Sequence, residues 1–136
     1  MRVARIVMWA ALLLSTFAAC ASELTRGLGF EELERSLHLR PAQKWQFDSA
    51  VAATQRALLA VALQGMQLKE RAAQELAKPR PDFESLARSQ EDLIDDVRPL
   101  FGEAREEWLR LYAMLDASQA GIAKTFVQER LGSLLR

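Results

Sequence analysis

The sequence holds a single cysteine and a single histidine in 136 residues. That pair cannot make an internal disulfide, furnish the several ligands of a zinc site or complete a catalytic triad, so the chain is expected to be no enzyme and to need no metal or cofactor. Glycine and proline are scarce as well, at six and four. Long stretches of Ala, Leu, Gln, Glu and Arg run uninterrupted, which disfavours sheet architectures. An excess of one charge is also lacking, because Lys and Arg number 18 and Asp and Glu 18. A balanced chain has no bulk attraction for a polyanion, so no nucleic-acid partner is expected. There is no glycine-rich phosphate loop, and hence no sign of nucleotide use.

What is present begins with an address. Arg2 and Arg5 introduce an apolar run from Ile6 to Phe17, shorter than the roughly 20 residues that span a bilayer, which reads as an export signal. Two processing readings follow. Ala19 and Ala21 form a small-x-small site cut before Ser22, making 1–21 a signal peptide and 22–136 one domain. Alternatively, Ala18-Ala19-Cys20 resembles a bacterial lipobox in which Cys20 is lipidated, although Phe17 stands where Leu is usual. Either reading takes Cys20 out of thiol chemistry and leaves a nearly neutral chain stabilised by packing alone. The expected location is the periplasm, with membrane attachment only through a lipid on Cys20.

The remainder reads as helices. Residues 42–77 contain no proline and only Gly65; Phe47, Val51, Thr54, Leu58, Val61, Gly65, Leu68 and Ala72 alternate at spacings of four and three, the seam of one helix on another. Pro79-Arg80-Pro81 ends that helix, and Asp82 can cap a second one reaching Leu115. Along it Phe83, Leu86, Gln90, Leu93, Val97, Leu100, Ala104, Trp108, Leu111 and Leu115 repeat the alternation. So short a turn requires the two helices to lie antiparallel. A fold about position 80 sets Gly65 near the height of Pro99, so the hairpin is expected to curve there, the alternative being that Pro99 divides the second helix.

Apolar residues also fall outside the seam: Trp45, Ala52, Leu59, Leu63 and Met66 on the first helix, Ile94, Phe101, Leu109 and Tyr112 on the second. A short helix over 30–37 and another over 117–135, capped by Asp116, are available to cover them. The expected fold is therefore all-α, four helices built on a long curved antiparallel hairpin, with dimerisation expected to bury apolar surface left over. Glu91, Asp92, Asp95 and Asp96 form an acidic cluster with no base nearby in sequence, which reads as a solvated face where Lys69 can pair with Glu91.

Leu37-His38-Leu39-Arg40-Pro41-Ala42-Gln43 precedes the first long helix, and Leu115-Asp116-Ala117-Ser118-Gln119 precedes the last. Both resemble the Leu-Thr-x-x-Gln motif that occurs twice in the Spy/CpxP-like family of bacterial periplasmic proteins, with Leu39, Gln43, Leu115 and Gln119 as the matching positions. Both copies depart from it at the Thr; Asp116 retains capping ability there and Arg40 does not. The resemblance spans roughly residues 30 to 132. It implies a four-helix fold paired into a curved homodimer and work as an ATP-independent chaperone or an envelope-stress adaptor. Relatives that sense metals use several His, Glu and Met residues, whereas His38, Met66 and Met114 are the only His and Met here beyond the signal, so no metal site is expected.

The first functional expectation is a periplasmic chaperone-like protein that holds partly unfolded clients without ATP, through Leu59, Leu63, Met66, Ile94 and Phe101. These same side chains could instead be covered by the terminal helices or a dimer mate. The alternative is a regulatory adaptor or metal-stress sensor acting on a membrane signalling protein.

Overall fold

The computed structural model describes residues 28–134. The expected export signal, Cys20 and both cleavage readings lie outside the described residues. Four helices follow one another: α1 (Phe30–Leu37), α2 (Pro41–Leu76), α3 (Phe83–Met114) and α4 (Ala117–Leu134). None of them is long and apolar enough to cross a membrane.

Each boundary has a local cause. Pro41 opens α2, where a missing N–H removes no helical bond. The Asp82 carboxylate accepts the Ser85 N–H at 2.9 Å and starts α3, and the Asp116 carboxylate does the same for Gln119, also at 2.9 Å, in α4. α1 starts after Gly29 at φ 68° and stops at His38, whose φ of 48° is the left-handed geometry that ends many helices but usually falls to glycine. Pro99 sits inside α3 without dividing it.

α2 and α3 pack antiparallel along their length as a hairpin. Their register matches a fold about position 80: Arg71 Nη1 donates to Ser89 Oγ at 2.6 Å near the turn, and Trp108 Nε1 donates to Thr54 Oγ1 at 2.9 Å farther away. Among the described residues no ion pair joins Lys69 to Glu91.

The seam holds its expected line at Phe47, Val61 and Gly65, which are buried, and is rotated between the first two. There Ala50, Ala53 and Ala57 are buried, with Val51, Thr54 and Leu58 half-buried beside them. α2 carries aliphatic residues nearly all round, so periodicity alone defines its stripe poorly. α3 decides it, because the bulk of Trp108 and Leu111 is best met by small residues opposite. On α3 the expected stripe is found, with Val97, Ala104 and Leu111 buried. Phe83 is the exception, exposed at the turn end, where Leu76 is more exposed still.

The terminal helices do not lie along the hairpin. α1 packs on α4, and both gather at the end remote from the turn around Leu33, Leu37, Phe47 and Leu111. Phe30 and Phe47 stand against the Trp108 indole with ring centroids 5.3 and 5.6 Å away. Lys44 of α2 reaches Glu34 of α1 at 2.9 Å, and Arg130 of α4 lies 5.1 Å over the Phe126 ring. The true four-helix core is confined to this end, and the turn-proximal hairpin is two helices only.

Candidate functional site

Gln43 and Gln119 meet at the centre of the four-helix end. Gln43 Nε2 donates to Gln119 Oε1 at 2.9 Å, and Gln119 Nε2 donates back to Gln43 Oε1 at 3.0 Å. Each oxygen also accepts the backbone N–H that precedes its own helix, from Arg40 at 3.0 Å and Asp116 at 3.1 Å. Each nitrogen gives its second hydrogen to the carbonyl ending another helix: Gln43 to Met114 O at 2.7 Å, Gln119 to Leu37 O at 3.0 Å. Every donor and acceptor position of both amides is thereby used. With exposures of only 3% and 6%, the pair needs that completeness, since a buried amide left unsatisfied is costly. Leu39 and Leu115 pack half-buried against the same core.

All four motif positions are thus brought together, and the two copies are one interlocked structure. The second copy is a full reciprocal cap between Asp116 and Gln119. In the first, Arg40 has no acceptor and only the return bond from Gln43 forms. Nothing about this arrangement is catalytic, because two neutral amides with saturated hydrogen bonds neither move protons nor attack. Its work is to lock four helix ends in one geometry.

Further bonds extend the lock and were not evident in the sequence. Gln46, one turn beyond Gln43 and also buried, donates to the Glu107 carbonyl at 3.0 Å and its carboxylate at 2.6 Å. Thr54 donates to Ala50 O and accepts from Trp108. The available signal was positional: Gln46 and Thr54 lie on the α2 side that turns to α3.

The five candidate binding residues form two separate stripes. Leu59, Leu63 and Met66 are more than half exposed; at about 100° per residue they fall on the side of α2 roughly opposite Ala57, facing away from α3. Ile94 and Phe101 are exposed at 43% and 42% and lie on a flank of the α3 seam. The α3 stripe continues through Arg105 and Tyr112, at spacings of four and seven, toward the four-helix end. There an apolar groove of about 400 Å³ opens between α1, α3 and α4.

Charge does little to mark a site. His38 is exposed at the end of α1. Glu91, Asp92, Asp95 and Asp96 are all exposed, and among the described residues no three His, Cys, Asp or Glu side chains converge as a metal-holding group. The Lys44 ammonium is held above the ordinary lysine value, by its hydrogen bond to Asp48 first and to Glu34 second. Glu75 is held below the usual glutamate value by Lys78 and then by the Asp82 N–H. Both are solvent-facing pairs that steady helix ends.

No protein-family model, curated protein or solved structure matches the chain.

Proposed function

We propose that this chain is a periplasmic, ATP-independent chaperone-like protein of envelope stress that binds partly unfolded clients on the two-helix part of its hairpin. The observation that carries the reading is the exposure of Leu59, Leu63, Met66, Ile94 and Phe101 where neither terminal helix reaches. Scattered large apolar side chains on a polar helical surface suit transient contact with unfolded segments, which present short apolar runs in no fixed order. The saturated lock at the far end supports a role in holding the hairpin rigid while its apolar stripes stay open. The motif resemblance adds the expectation that two copies pair and that the hairpin bends near Pro99.

The test is light scattering by a chemically unfolded client diluted into ATP-free buffer, with protein recovered from an exporting host. Suppression near equimolar ratio is the expected outcome. A folded, helical sample that leaves aggregation unchanged at several-fold excess would overturn the chaperone reading in favour of the adaptor one.

A further inference from the structure

The groove between α1, α3 and α4 adjoins the α3 stripe at Arg105 and Tyr112, but none of the five client-binding candidates lines it, and it does not depend on the client-binding reading. Buried Leu33, Leu37 and Leu111 form its base, while exposed Leu109, Tyr112 and Val127 stand at its rim. Its wall presents only carbon. Arg105 contributes the stem of its side chain to that wall, and its guanidinium makes no ion pair or hydrogen bond with any described residue. Other exposed arginines, such as Arg88 and Arg110, are paired with carboxylates on their own helix.

We propose that this groove holds the alkyl chain of a free long-chain fatty acid, with its carboxylate against Arg105. Three properties select that occupant. The volume of about 400 Å³ lies toward the small end of ligand sites, which run from ~300 to 1,000 Å³, and suits one extended aliphatic chain. An extended peptide would bring amides that a carbon wall cannot satisfy, whereas an alkyl chain brings none. Among the described residues that line the groove the one charged side chain is Arg105, which makes no ion pair with any of the others described, and a guanidinium fork matches a carboxylate in shape and sign.

The experiment uses the exported protein after removal of 1–21, and with it Trp9, carrying Trp45→Phe, so that Trp108 in the groove wall reports binding by its fluorescence. Titration with a mid-chain brominated stearate is expected to quench Trp108 saturably. Arg105→Gln is expected to weaken the acid about tenfold while leaving the matching brominated alcohol unchanged, since only the acid has a charge to lose. Val127→Glu should abolish quenching with helicity retained, and Leu63→Asp on the far side of the hairpin should leave it intact. Absence of saturable quenching would overturn the proposal. So would equal binding of acid and alcohol, indifference to Arg105→Gln, or occupation by an amphipathic helical peptide in place of the acid. The client assay takes no part in these readouts, so either proposal can fail alone.

Discussion

Gln43 and Gln119 donate to each other across 76 residues of chain, and each closes the end of a helix that leads to the other. This reciprocity makes the two side chains one unit. Removing either leaves the other with an unmatched donor and acceptor, as well as an orphaned helix-end carbonyl.

A double-mutant cycle follows from that unit. Gln43→Leu and Gln119→Leu are each expected to destabilise by about 1–3 kcal/mol, the cost of stranding buried polar groups. The double variant should lose less than the two losses added, with coupling of ~0.5–3 kcal/mol. Denaturant unfolding followed by helical circular dichroism measures all three, and simple additivity would contradict the interlocked pair.

The helix ends offer two gains. Arg40→Ser supplies the acceptor that the first motif copy lacks and should stabilise by about 0.5–2 kcal/mol; the exposed Arg40–Asp116 contact it gives up, 3.8 Å long, is worth at most ~1 kcal/mol. His38→Gly relieves a side chain from φ 48° and should add about 1 kcal/mol. Higher denaturation midpoints with unchanged slope would bear these out, and a fall in either would show that the side chain replaced has an unrecognised structural role.

Placing charge on the open stripes separates client binding from folding. Leu63→Asp and Phe101→Asp should each change stability by no more than about 0.5 kcal/mol, as exposed substitutions do, yet reduce suppression of client aggregation several-fold. Because the two residues lie on different helix faces, their separate effects identify the face that clients use. If neither changes the scattering curve, neither stripe is the client surface.

Acid sensitivity should include the turn. Glu75 has a folded-state pKa below its unfolded one, so its contribution is present at neutral pH and is lost as pH falls through the lowered folded value. Glu75→Gln should therefore flatten the acid limb of a stability-versus-pH curve measured by urea unfolding, while the slope near neutrality stays as it was. An acid limb identical to that of the parent would remove Glu75 from the account.

Much of this architecture was legible because its signals are local. Proline at 79 and 81, Asp82 and Asp116 as caps, and the stripe from Leu86 to Leu115 set the helix boundaries and the antiparallel hairpin. The motif glutamines were legible as paired sequence elements, but their mutual bonds were not, since nothing in a one-dimensional spacing says that residues so far apart share hydrogens. Phe47, Val61 and Gly65 of the α2 seam were legible, but the line between Phe47 and Val61 was misplaced for a related reason: Val51, Leu58 and Ala57 are all apolar, and the choice among them belongs to the shape of α3. The groove escaped notice because it is assembled from three helices at once, and the apolar wall around Arg105 exists only after they meet.

The alanine line of α2 gives this hairpin an unusual pattern of vulnerability. An ordinary core fails when a large side chain is cut down and a void opens. At Ala50, Ala53 and Ala57 there is almost nothing to cut. Harm comes instead by growth: one or two added methyl groups wedge the helices apart, and the displacement is carried along two rigid rods to both ends. Drift in this stretch is therefore expected to be one-sided, with exchanges among the smallest residues passing unnoticed and each step toward bulk felt at a distance.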